Sequence, residues 1–453
     1  MLPWQRRSRG AIFNARAGTI MLLPGILVAL TCLFMILGVL FFPKICLFGR
    51  SFSSFWIVTT IGAGLLLGTG CVSLPSLGAA LFSDSAVNPL KILVLFISMT
   101  LLSVYLDEVG FFRYLATRML RYAGNSRRKL FWLLYLTVSV LTVFTSNDVI
   151  ILSFTPFICY FCAAARIDPI PYLTAEFVAA NTWSMALIIG NPTNIYLASA
   201  AGVGFFEYMK VMFLPTIAAG TVAGGAVYLL FSRSLHQPMK APEAPLLRPD
   251  RAPLIIGVAH LGICTLLLAV GGYIGLPMWA VAACALFSLC LFVAALGVVR
   301  RSPPVILLRL FRRAPWELIP FLLSMFTLVI ALGESEITGR VSEMLPNENN
   351  TLLFGVASFL AANLVNNIPM SVLFSPILSS LSAGSARGAL YATVAGSNIG
   401  AFFTPIGALA GIMFSAVLRE HGVQFGFARF LRMGAAVAVP ALLAALGVLC
   451  LTV

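Results

Sequence analysis

Apolar runs of twenty or more residues recur along this 453-residue chain, and that feature removes most folds from consideration. A stretch of that length crosses the hydrocarbon core of a bilayer as a helix. With 60% hydrophobic and 10% charged residues and a mean hydropathy of +1.00, the chain reads as an all-α, multi-pass integral protein of the cell inner membrane. The formal charge of +14 does not point to nucleic acid, because its Lys and Arg residues sit in short loops between the apolar runs. The lipid bilayer is the partner this composition implies.

Ten crossings are expected, at 20–42, 55–74, 90–107, 171–200, 210–231, 253–274, 277–299, 315–333, 389–418 and 433–453. Residues 130–165 and 351–383 do not fit that series. Each is long enough for a helix, a break and a second helix with a polar tip, the pattern of a re-entrant hairpin. The order is then the same twice: three spans, a short amphipathic helix (110–121 and 334–345), a hairpin, an interrupted long span and a final span. The divisions are a basic tail (1–19), a first half (20–231), a cytoplasmic linker rich in Pro and charge (232–252) and a second half (253–453). Five crossings per half is an odd number, so the second copy inserts upside down, giving an inverted repeat with two opposed hairpins.

Charge tests that topology independently. Lys and Arg number six in 110–130, four in 232–252, five in 300–314 and three in 419–432, and all four loops fall on one side. The acidic stretch Glu334, Glu336, Glu343 and Glu348 falls on the other. The tail with Arg6, Arg7, Arg9 and Arg16 disagrees, since the count places it outside; the repeat is the stronger constraint. The first apolar run is too long for a signal peptide, and no small-residue cleavage site follows it.

The polar residues inside the apolar chain come in matched pairs. Residues 144–157 (FTSNDVIILSFTPF) and 364–378 (LVNNIPMSVLFSPIL) share an asparagine, an apolar turn and a proline (Pro156, Pro376) at a constant offset of 220. Each half also has a second break, at 190–194 (GNPTN) and 396–407 (GSNIGAFFTPIG). Pro and Gly interrupt the helical ladder there and free backbone groups to bind an ion or an oxyanion. Polar groups at membrane depth are costly, so four such breaks, paired by repeat and each with Asn, mark a transport site. The candidate substrate- or ion-binding residues are Thr145, Ser146, Asn147, Asp148, Asn181, Gly190, Asn191, Pro192, Thr193, Asn194, Asn366, Asn367, Pro369, Ser397, Asn398, Thr404, Pro405 and Gly407. Candidate sodium ligands among them are Ser146, Asn147, Asn191, Asn194, Asn366 and Asn367.

Asp148, in the first tip, is the best candidate for carrying a coupling charge; the alternative is a carboxylate capping the helix that follows. Glu176 is the second coupling candidate, with a snorkelling side chain as its alternative. Asp107 and Glu108 read as a solvated ion pair at the interface. Nine cysteines, mostly within apolar segments, form no disulfide framework, and the CxxC of Cys159 and Cys162 reads as two small apolar side chains on one helix face before it reads as a soft ligand. The three histidines have no metal spacing, and no cofactor is expected. A membrane enzyme would need clustered His, Asp or Glu at the membrane surface, which the sequence does not supply, so the chain is read as a binding cup without catalysis.

At these residues the sequence resembles the ArsB-type arsenite and antimonite permeases of the ion transporter superfamily, which also holds sodium/dicarboxylate symporters, NhaD-type antiporters and the melanosomal P protein. The telling pieces are LDEVGFFRYLA (106–116), SND at the first tip, RRAPWELI (312–319), NNIP at the second tip and TPIGALAGIMFSAVL (404–418). GNPTN also looks like a loop of the dicarboxylate branch. The resemblance implies a central site in two related halves, Ser146 and Asn147 with 191–194 in one, Asn366 and Asn367 with 404–407 in the other, with sodium in each and an anion between. It also implies candidate partners, a second copy of the chain and an ATPase subunit as in arsenical pumps. The chain departs from the arsenite permeases at two matched points, where Asn181 and Asn398 stand in place of expected aspartates. The expected function is a secondary active transporter of a small anion or metalloid oxyanion such as arsenite or antimonite, driven by sodium or protons. The alternative is a sodium-coupled di/tricarboxylate or sulfate symporter; a sodium/proton antiporter or a passive anion channel ranks below both.

Overall fold

The computed structural model describes residues 23–38, 41–42, 44–47, 49–82, 88–240, 249–271, 273–334 and 350–453. The basic tail, the amphipathic helix expected at 334–345 beyond its first residue, and the middle of the linker lie outside the described residues.

The first half runs through α1 (Leu23–Gly38), a ribbon of β1 (Lys44–Leu47) and β2 (Arg50–Ser53), α2 (Ser54–Gly68), α3 (Leu74–Phe82), α4 (Pro89–Glu108), α5 (Phe111–Ala123), α6 (Arg127–Phe144), α7 (Asn147–Ala165), α8 (Ile170–Trp183), α9 (Pro192–Ala200) and α10 (Phe205–Leu230). After α11 (Ser232–Leu235), the second half has α12 (Arg251–Gly271), α13 (Met278–Val299), α14 (Val305–Arg312), α15 (Leu318–Glu334), α16 (Thr351–Val365), α17 (Asn367–Ser380), α18 (Ala383–Gly400), α19 (Leu409–Glu420) and α20 (Phe427–Thr452). The described residues are thus all-α apart from one antiparallel ribbon, in register Lys44 to Ser53, which lies between the first two expected spans.

Among the described residues, six helices are long and apolar enough to cross a membrane: α4, α7, α10, α12, α13 and α20. Of the ten expected crossings, five are among these, and α1, α2 and α15 are shorter apolar helices. The remaining two are each divided, 171–200 into α8 and α9 and 389–418 into α18 and α19, as the Gly and Pro residues require. The span expected at 55–74 stops at Gly68, because Gly70 takes a left-handed backbone (φ +74°) and Leu74 starts a new helix.

Packing pairs the halves. α6 lies on α8 as α16 lies on α18; α7 packs on α19 while, reciprocally, α17 packs on α9; and the two final long helices, α10 and α20, pack on each other. Pro156 and Pro376 each occupy the tenth position of α7 and α17, where each removes one N–H from the helical ladder.

The basic loops gather at one end. Asn125 accepts from the Met239 amide (3.1 Å), Arg127 donates to the Ser234 carbonyl (3.3 Å), and Arg300 pairs with Asp250. Arg313 bridges Asp107 and Glu108 at 2.6 Å each, with Arg309 also on Glu108 at 3.3 Å, so these two carboxylates join the ends of α4 and α14.

Candidate functional site

α6 ends at Phe144 because Thr145 turns extended (φ −127°, ψ 178°), and its hydroxyl is consumed by the Leu141 carbonyl at 2.7 Å. α7 then begins behind Ser146, whose side chain does not cap it. Asp148 does not cap it either: it is 8% exposed and makes no hydrogen bond or ion pair among the described residues. The capping role weighed for this carboxylate is not what the structure holds.

The orientation of the Asn147 amide follows from a chain of donors. Asn181 gives its Nδ2 to the Phe177 carbonyl (2.8 Å), which turns its Oδ1 towards Asn147, and Asn147 donates Nδ2 to it at 3.1 Å. Asn147 Oδ1 is therefore left buried without a partner, as is Ser146 Oγ. At the second tip, Asn366 adopts φ +74°, a conformation costly for a side-chain-bearing residue. It is held there by donation from its Nδ2 to the Ile406 carbonyl (3.2 Å) and by acceptance from the Ile368 amide (3.4 Å). The Asn367 amide donates to the Gly407 carbonyl at 3.0 Å, while Asn367 Oδ1 is buried and unpaired. Pro369 sits in the first turn of α17, where its missing N–H costs nothing.

The two broken helices meet at Asn398. Its Oδ1 accepts from Ser184 Oγ (2.9 Å) and Asn191 Nδ2 (3.1 Å), and its Nδ2 donates to Asn194 Oδ1 (2.7 Å) and the Val394 carbonyl (2.8 Å). Asn194 returns its own Nδ2 to the Ser184 and Leu187 carbonyls (2.9 and 3.2 Å). Asn191 caps α9 through the Thr193 amide (3.1 Å), Pro192 opens that helix, and Ser397 Oγ donates to Thr193 Oγ1 at 3.3 Å. Gly190 has no room for a side chain, since an added Cβ would lie 2.9 Å from Ser184 Cα.

The structure thus brings Asn366 and Asn367 onto the 404–407 segment as expected, but it regroups the other half. Asn147 bonds to Asn181 rather than to 191–194, and the 191–194 segment is bonded across the halves to Ser397 and Asn398. Glu176 does not snorkel. It is fully buried and accepts from Thr155 Oγ1 of α7 at 2.9 and 3.0 Å. Sequence reasoning missed Asn363, which gives Nδ2 to the Phe359 and Gly400 carbonyls (2.8 and 3.1 Å) and takes Thr404 Oγ1 at 2.5 Å, pinning the second break to α16. Its signal was its place one helical turn before Asn367. Among the described residues no group of three or more His, Cys, Asp or Glu is placed to hold a metal, and Cys159 and Cys162 are both buried and free. A cavity of ≈ 540 Å³ runs from Pro405 and Ile406 to Arg419 and residues 422–427.

A buried polar centre made by helix breaks is the form that binding sites take in many membrane transporters. Residues 45–393 match the citrate transporter family model, and the chain belongs to that family. It is 29% identical over 412 residues to the arsenical pump membrane protein of Escherichia coli K12, covering 86% of this chain and 92% of that one. It is also 29% identical over 373 residues to the protein of that name from Yersinia enterocolitica, covering 79% and 85%. Its fold is similar to the crystal structure of the Alcanivorax borkumensis YdaH transporter, with TM-score 0.52 at 16% identity over 94% of this chain and 98% of that one.

Proposed function

We propose that this chain is an ion-coupled secondary active transporter that moves a small anion or metalloid oxyanion, such as arsenite or antimonite, by alternating access. The observation that carries the reading is the set of buried oxygens without partners, Ser146 Oγ and Asn147 Oδ1 at one tip and Asn367 Oδ1 at the other. A buried acceptor left unpaired costs roughly 1–3 kcal/mol, and a ligand that supplies positive charge or donors would satisfy the three that lie at the paired helix breaks. Sodium accepts neutral oxygens of this kind, and the uncapped first turn of α7 offers amides to an anion. Asn398, with all four of its hydrogen-bonding positions filled by protein, orients the site rather than binding in it.

The ten-crossing inverted repeat with opposed re-entrant hairpins is part of the same proposal. It is supported by the reciprocal packing of α7 on α19 and α17 on α9, and by the matched prolines. The arsenical pump names of two relatives favour arsenite or antimonite, while the family description and the two asparagines in place of carboxylates favour a sodium-coupled carboxylate symporter as the second reading. The test is transport in proteoliposomes. Asn147→Ala and Asn367→Ala should each abolish gradient-driven flux while the purified variants stay folded; unchanged flux in both sinks the site assignment.

A further inference from the structure

We infer that the basic end of the molecule carries a binding site for the phosphate of an anionic phospholipid headgroup, in the cavity lined by Tyr114, Arg118, Arg121, Tyr122, Pro249, Arg251 and Leu254. The cavity measures ≈ 580 Å³ and lies well away from the helix breaks.

Three arginines converge on it from two elements that are distant in sequence. Arg118 and Arg121 come from α5, and Arg251 is the first residue of α12. None of the three forms an ion pair among the described residues, although arginines elsewhere at this end do. The nearest acidic neighbour in sequence, Asp250, is already engaged by Arg300, whose hydrogen bonds hold its carboxyl below its ordinary value. Among the described residues the cavity therefore keeps an uncompensated positive charge, which a solvated surface of mixed sign would not show.

Arg118 is also held in place. Its Nη1 donates to Tyr114 Oη at 3.2 Å and its Nη2 to Tyr122 Oη at 3.4 Å, with the guanidinium 5.7 Å from the centre of the Tyr122 ring. A guanidinium fixed in this way loses less freedom on binding an anion.

The level of the site selects its ligand. α4 ends at Glu108 and α12 starts at Arg251, so the cavity lies where two membrane-length helices leave the apolar layer. α5 is amphipathic, burying Phe112, Ala116, Met119, Leu120 and Ala123 while Arg118, Arg121 and Tyr122 stay exposed. Arginine with tyrosine at that level is the composition of a headgroup site, and juxtamembrane basic residues are drawn to anionic lipid.

The experiment uses the full chain in detergent, titrated with phosphatidylglycerol, with phosphatidylcholine and with inorganic phosphate, read by thermal unfolding and by native mass spectrometry. Phosphatidylglycerol should raise the unfolding temperature and remain bound, whereas phosphatidylcholine and inorganic phosphate should do neither. Arg121→Gln/Arg251→Gln should weaken that binding on the order of tenfold or more, Arg121→Lys/Arg251→Lys should keep most of it, and Arg429→Gln/Arg432→Gln, with the same loss of charge elsewhere, should leave it unchanged. Full binding by the first double variant, equal loss in the last, or a shift given by inorganic phosphate alone would each overturn the proposal.

Discussion

Asn398, in the last turn of α18, and Asn147, the first residue of α7, are the same residue type beside a helix interruption, and the structure gives them opposite work. Asn398 fills both donor and both acceptor positions with protein groups, whereas Asn147 has one oxygen left over. Asn398→Ala should therefore lower stability by about 3 kcal/mol, since Ser184, Asn191 and Asn194 lose buried partners together; chemical denaturation in detergent measures this. Asn147→Ala removes one unsatisfied oxygen but leaves Asn181 Oδ1 without its donor, so it should cost stability only about 1 kcal/mol, less than Asn398→Ala, while its loss should appear in transport. Glu176→Gln keeps an acceptor for Thr155 and should fold normally, as should Asp148→Asn. Whichever of the two makes flux insensitive to an imposed proton gradient carried the coupling charge; if neither does, protons are not the driving ion.

At the scale of the element, the helix breaks are set by contacts that leave no room for a side chain. A Cβ on Gly407 would lie 2.8 Å from Asn363 Oδ1, and one on Gly190 would lie 2.9 Å from Ser184 Cα. Gly225, within α10, has open space around it. Gly190→Ala and Gly407→Ala should thus reduce folded yield and unfolding temperature, while Gly225→Ala should be neutral or stabilising by roughly 0.5–1 kcal/mol; equal behaviour of the three would refute the close-approach account. Asn366 is the other element-level device, since its left-handed backbone is specific to the second tip and has no counterpart at Ser146 (φ −79°). The two tips share a sequence pattern and differ in backbone, which the 220-residue offset could not reveal.

At the scale of the whole molecule, the two halves interlock through α7 with α19, α17 with α9, and α10 with α20, so the site exists only when both halves are present. A ligand that binds the folded state should raise stability by about 2.7 kcal/mol at a hundredfold excess over its dissociation constant. A thermal-shift screen of arsenite, sulfate, phosphate and dicarboxylates should give a shift for one class that grows with sodium. A sodium-independent shift would remove sodium from the mechanism.

Much of this was determined by the sequence alone. The apolar runs required membrane helices, and Gly and Pro placed breaks at 190–194 and 396–407, which the structure sets at 184–191 and 401–408, because backbone conformation and burial at membrane depth restrict which residues can stand there. What only the tertiary structure decided is which polar atom faces which. Asn181 took Asn147, Asn398 bridged to the opposite half, Thr155 took Glu176, and the half-buried Asn363 joined the second break. Hydrogen-bond valences are filled by neighbours brought close by packing, and residues 217 apart, such as Asn181 and Asn398, carry the same local signal whatever their partners become.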